Sequence, residues 1–191
     1  FTEDYSNKYQ WLYKLAEEKG ITFLGLSDSK IGNAIYHPAA KAFAITTNFE
    51  KLEQEAKERV FAHEIIHGLL KNKFTIQLED KVREFVKNLP KSSDNKINDV
   101  LDRVKGNIDK KIVGDYEELI TYALTNKEFA QWLNSIKIEG ETKESQTLWG
   151  KLKEIILEAF ESIVGKSKLD ELNEILDSIL ISPEIKEETT K

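Results

Sequence analysis

Two of the chain's three histidines lie four residues apart, in the run His63-Glu64-Ile65-Ile66-His67. On an α-helix, residues i and i+4 stand one turn above each other on the same face. Both imidazoles can therefore reach a single ion at roughly 2.0–2.1 Å. Glu64 falls about 100° round the helix from His63. That puts it close to such an ion without obliging it to bind, which is the place for a general base acting on ion-activated water. The bland alternative is that both histidines are ordinary helix residues whose rings are hydrogen-bonded against a core.

Two imidazoles do not complete a zinc site; a third protein ligand is needed, with water in the fourth position. No histidine follows His67, the positions where a nearby third one would fall hold Leu70 and Lys73, and the chain has no cysteine. The remaining choice is a carboxylate, unless His37 comes round from a predicted strand end beside Pro38. The best source is Asp115-Tyr116-Glu117-Glu118-Leu119-Ile120-Thr121-Tyr122-Ala123-Leu124, an acidic start followed by apolar residues. Leu119 and Ala123 are expected to face the core, Glu118 and Tyr122 to border that stripe, and Glu117 to turn toward the flank. Glu118 is thus the favoured ligand. A competing role is open for it, because Asp115-x-x-Glu118 also fits a capping box, which would leave Glu117 for the metal. Tyr122, one turn beyond Glu118, is a candidate donor to a developing oxyanion. Tyr116 is another, and core packing is the competing role for both.

The elements that must carry these groups follow from periodicity and punctuation. Residues 5–19 repeat apolar side chains at helical spacing and stop at Gly20. The runs 21–24, 33–36 and 41–46 are short and rich in β-branched and aromatic residues, with Pro38 as a turn, and predict three strands of an antiparallel sheet. Thr47-Asn48-Phe49-Glu50 has the form of a capping box and opens a long helix to about Leu70. Further helices are expected over 76–89, 97–104 (closed by Gly106), 115–124, 129–136, 148–164 and 169–180. The last is introduced by Ser167 and stopped by Ser182-Pro183. The expected class is α+β: mainly helical, with a small antiparallel sheet near the N-terminus and a C-terminal helical part.

Composition narrows the field. Of 191 residues, 28 are basic and 34 acidic, a net charge of −6, whereas a general polyanion binder should be basic. Nucleic acid is therefore not expected as a partner, and the basic run from Lys105 to Lys111 is read as solvated loop charge. No apolar run approaches the ~20 residues of a membrane helix. The absence of cysteine excludes disulfides, thiolate zinc sites and cysteine nucleophiles. The chain has no methionine and ends in a polar stretch, so residues 183–191 are read as a linker from one domain, 1–182, to a larger parent protein.

At the His-Glu-x-x-His run the sequence resembles the gluzincin class of zincin metallopeptidases. The order of hairpin, motif helix and a helix with Glu-x-x-x-Tyr-Ala resembles ImmA/IrrE-type peptidases, and Glu118, Tyr122 and Ala123 match that spacing. Glu117 to Asn126, then Phe129, then Trp149 with two apolar helices, resembles more closely the metallopeptidase domains of polyvalent proteins encoded by phages and conjugative elements. That resemblance spans roughly residues 30 to 180. It departs in the long polar gap from Ser92 to Lys111, expected to belong to a helical insertion over about 75–112.

The resemblance implies a zinc-dependent endopeptidase domain, with Zn2+ held by His63, His67 and Glu118 and with Glu64 and Tyr122 as catalytic groups. The implied partners are a peptide or protein substrate (the parent polyprotein or a host protein) and the other domains of the parent, with neither nucleic acid nor membrane. The implied location is the virion or the bacterial host cytoplasm. Substrate would add as a strand along a sheet edge, for which Lys41 to Thr46 is the candidate. The alternative is a catalytically silent zincin-fold module serving a virion or conjugation protein in binding or structure. The intact Glu64 argues against it, since a dead site has no chemical need for a base.

Overall fold

The computed structural model describes residues 7–27, 34–37, 42–46, 49, 51–108, 116–138 and 147–181. The chain divides into two compact units, Phe1–Asn72 and Lys73–Lys191. In the first, a 3-10 turn (Asn7–Tyr9) leads into α1 (Gln10–Glu18). Leu12, Leu15 and Ala16 recur at three and four residues and bury one stripe of α1 together with Tyr13. Gly20, at φ +76°, turns the chain out of the helix in a conformation that L side chains rarely adopt. Strands β1 (Thr22–Ser27), β2 (Ala34–His37) and β3 (Ala42–Thr46) follow, in the sheet order β1-β3-β2. The unit ends with α2 (Gln54–Leu70), which packs against α1 and β2. Tyr13 meets Phe61 edge-on, ring centroids 5.5 Å apart.

The small antiparallel sheet expected from the sequence is not what the chain forms. The fold is mainly helical, and its three short strands make a mixed sheet. β2 and β3 are antiparallel, with Ala34 opposite Ile45 and His37 opposite Ala42. β1 instead runs parallel to β3, with a register irregularity between Phe23 and Leu26. Alternating residues mark a strand but do not choose its neighbour. Successive strands reverse direction here, so pairing the first with the third makes a parallel ladder. This also removes the expected substrate edge: over Ala42–Thr46 the chain is the central strand, paired on both sides, and the edges are β1 and β2. Lys41 lies outside the described residues. The motif helix starts later than expected, at Gln54 with Glu53 at its N-cap and no side-chain cap bond. Thr47, Asn48 and Glu50 of the expected capping box lie outside the described residues.

Every named element of the second unit is helical: α3 (Ile76–Lys87), α4 (Asn95–Ile108), α5 (Glu117–Thr125), α6 (Lys127–Asn134), α7 (Leu148–Val164), a 3-10 turn (Lys166–Lys168) and α8 (Leu169–Ser178). Leu152, Ile156, Ala159 and Phe160 recur at helical spacing and are fully buried, making α7 the core helix, packed against α3, α6 and α8. Side-chain caps open three of these helices. Thr75 accepts from the Leu78 N–H (3.1 Å), Asn126 from Phe129 (3.0 Å) and Thr147 from Gly150 (3.1 Å). Gly165, at φ +82°, ends α7. Trp149 is 2% exposed, and its indole Nε1 has no hydrogen-bond partner among the described residues.

Gly106 does not close the helix as its position predicted. It lies inside α4, which runs on to Ile108 because Val104 and Ile108 continue the buried stripe. Helices α3 and α4 stand where the insertion was expected; they pack on each other, and α4 also packs on α5 and α6. The expected tail, 183–191, lies outside the described residues. Among the described residues, no helix is long and apolar enough to cross a membrane.

Candidate metal centre

Helix α2 has two faces. Phe61, Ala62, Ile65, Ile66, Leu69 and Leu70 are buried, and Glu58 extends their stripe. Val60, His63, Glu64, His67 and Gly68 form a second stripe, half-buried, at the same three- and four-residue spacing. His63, Glu64 and His67 all lie on this second stripe, so the histidines are not core residues. The His63 and His67 rings lie 4.7 Å apart, tilted by 51°, and their Nε2 atoms converge to 3.1 Å. Two nitrogens at that separation, each 2.0–2.1 Å from one ion, subtend about 100° there. The pair already stands at the spacing of two ligands on a tetrahedral ion.

His63, His67 and Glu118 each offer one ligand atom, and these atoms all lie within 4.8 Å of one another. The three form a group able to hold a metal ion.

Glu118 belongs to α5, a helix buried nearly all round: Leu119, Ile120, Thr121 and Ala123 are 0% exposed, and only Tyr122 is half-buried. The threonine hydroxyls of this helix are satisfied internally, Thr121 donating to the Glu117 carbonyl (2.8 Å) and Thr125 to the Thr121 carbonyl (2.7 Å). The N-cap residue is Tyr116, with no side-chain cap bond, and Asp115 lies outside the described residues. Counted from Tyr116, Glu118 is the second helical residue and not the third that a capping box requires. Leu119 and Ala123 bury as expected, but Glu117 does not turn to a flank: it is 5% exposed against 8% for Glu118. Both carboxylates sit in the first turn, where the helix dipole favours negative charge.

Two phenol–guanidinium pairs bracket these carboxylates, and sequence reasoning found neither arginine. Arg83 of α3 donates to the Tyr116 hydroxyl and stacks over its ring at 5.1 Å, with Phe74 5.8 Å away on Tyr116 as well. Arg103 of α4 lies with Nη1 3.5 Å from the Tyr122 hydroxyl. That contact with the Tyr122 hydroxyl, then the Glu118 and Asp99 carboxylates, raise the Arg103 pKa despite some opposing desolvation, so the guanidinium stays charged. No local pattern could have revealed either pair, because each partner comes from a different helix.

Burial, then the Glu79 and Asp80 carboxylates, push the Tyr116 phenol above the ordinary tyrosine value, with Arg83 opposing. A raised folded-state pKa contributes stability that is fully present below the unfolded value, ~10, and is lost as pH rises toward the folded one. Thermal melts should therefore show stability falling above about pH 10, and Tyr116→Phe should flatten that fall. An unchanged alkaline slope in the variant would overturn the assignment.

His37 closes β2, its backbone opposite Ala42. A separate cavity of about 540 Å³ lies between α3 and α7, floored by Phe85, Leu148 and Ile155 and flanked by the Lys81–Glu158 ion pair (2.7 Å); none of the candidate site residues line it. No protein-family model matches the chain, and no curated protein or solved structure matches it either.

Proposed function

We propose that the chain is a zinc-dependent endopeptidase domain that hydrolyses peptide bonds with metal-activated water. The observation that carries this reading is the His63–His67–Glu118 group. Its helix-borne imidazoles bring their Nε2 atoms to 3.1 Å, and the acidic residue Glu64 lies beside them in sequence on the same half-buried stripe. Two imidazoles and a carboxylate are a donor set suited to zinc. Zinc bound there would supply Lewis acidity, lowering the pKa of its water toward ~7.

The chain's own residues do the rest. Glu64 accepts the water's proton and delivers it to the leaving amine. The Tyr122 hydroxyl supports the oxyanion of the substrate carbonyl. The resemblance to metallopeptidase domains of phage and mobile-element proteins extends the proposal to a domain of a larger protein. Its substrate would be that parent or a host protein, and it would act in the virion or the bacterial host cytoplasm.

The test is elemental analysis after mild desalting, paired with hydrolysis of casein or a peptide library. About one zinc per chain is expected, removed together with activity by chelator and restored by added zinc. The His63→Ala, His67→Ala double variant should hold none, and zinc retained by it would sink the proposal. A zinc-loaded wild-type chain that cleaves nothing would favour the silent binding module instead.

A further inference from the structure

We infer that Arg103 is a positioning residue for the reaction, orienting the Tyr122 hydroxyl so that its O–H points to the oxyanion and its oxygen accepts from the guanidinium. The inference rests on the peptidase reading above. It goes beyond that reading by making α4, the segment the sequence presents as an insertion, a working part of the site.

A phenol has one hydrogen to give and two lone pairs to fill. In isolation its O–H rotates, and only a fraction of its orientations would serve an oxyanion. A guanidinium on the oxygen occupies a lone pair. It cannot accept the phenol's hydrogen, because arginine has donors only. The contact between Arg103 Nη1 and the Tyr122 hydroxyl, at 3.5 Å, therefore excludes one set of O–H directions and polarises the bond that remains. Tyr122 stands one turn beyond Glu118 on α5, so a direction imposed there acts next to a proposed metal ligand.

The other phenol–guanidinium pair makes the contrast. Tyr116 is buried, and Arg83 both bonds and stacks on it, the arrangement of a packing latch. Tyr122 is half-buried and Arg103 is exposed. A long hydrogen bond between such groups adds little to stability, so the Arg103–Tyr122 pair is poorly explained as a structural brace. It remains accessible to an incoming substrate. An extended chain lying over it would exclude water and strengthen the contact when it is needed.

The experiment uses the zinc-loaded full chain with Arg103→Gln, Arg103→Lys, Tyr122→Phe and the Arg103→Gln, Tyr122→Phe double variant. An orienting effect is felt in the transition state, so Arg103→Gln should lower kcat roughly ten-fold with KM and zinc content unchanged. That is less than the 10²–10³ of deleting an oxyanion donor outright. Tyr122→Phe should lose more, the double variant should lose no more than Tyr122→Phe alone, and Arg103→Lys should recover part of the loss. Independently of activity, the Tyr122 ring 13Cζ resonance, assigned by its absence in Tyr122→Phe, should move in Arg103→Gln.

An unchanged resonance, an unchanged kcat, or losses that multiply in the double variant would overturn the role of Arg103 and leave the peptidase reading standing. A wild-type chain that holds zinc and has no turnover would overturn both.

Discussion

Glu64→Gln should leave zinc bound and the melting transition in place while lowering turnover by about 10²–10⁴-fold. The substitution keeps the shape of the side chain and removes only its capacity to take a proton. Glu64 lies on the half-buried stripe of α2, off the buried face formed by Phe61, Ile65, Ile66 and Leu69, so the change does not disturb the core. As the proposed base, Glu64 would contribute to the transition state alone, and the loss should appear in kcat and kcat/KM together. If Glu64 were instead a ligand, Glu64→Gln would release zinc as a histidine variant does. Zinc content measured beside activity on the same preparation separates the two.

The second large effect is expected at Glu118. Loss of a group that merely supports a ligand costs roughly 10–100-fold in metal affinity, so Glu118→Ala, which removes the proposed ligand, should weaken zinc by more than about 100-fold. Its neighbour makes the control. Glu117 is buried as well, but adjacent helical residues point about 100° apart and do not easily face one ion together. Glu117→Ala should cost on the order of 1–3 kcal/mol of stability, as removal of a buried polar partner does, and leave zinc bound. Metal titration and thermal melts on the two single variants read both quantities. The reversed outcome, with Glu117→Ala emptying the site and Glu118→Ala only lowering the melt, would mean that Glu117 is the ligand.

What the residues revealed, and what they concealed, follows from the range of the interactions involved. The motif helix was legible because its histidine spacing and its packing obey the same period: His63 and His67 share one stripe, while Ile65, Ile66 and Leu69 mark another. The carboxylate helix was half legible. Leu119 and Ala123 bury as their spacing predicts, but a helix enclosed on nearly every side has no polar face to contrast with, and so the burial of Glu117 left no trace in the pattern. Sheet order was illegible because alternation is a property of one strand, whereas pairing β1 with β3 is a decision between strands. Gly106 was misread as a stop because glycine weakens a helix without ending it when the buried stripe continues past it. Arg103 and Arg83 were out of reach, since each meets its tyrosine across a helix–helix contact.

The sealed indole of Trp149 gives the second unit its own optical signal. Tryptophan emission shifts to longer wavelength as water reaches the ring. Trp149 is 2% exposed, whereas Trp132 of the same unit is half-buried. The chain has three tryptophans, and the remaining one, Trp11, belongs to the first unit. In a Trp11→Phe background, fluorescence therefore reports on residues 73–191 alone, and most of its red shift on denaturation tracks the opening of the first turn of α7. The unpaired Nε1 adds a second consequence. A buried donor without an acceptor is a standing cost of roughly 1–3 kcal/mol, and phenylalanine carries no such donor. Trp149→Phe thus exchanges lost contact area against a removed polar penalty, and the core helix tolerates it far better than the size of the missing ring would imply.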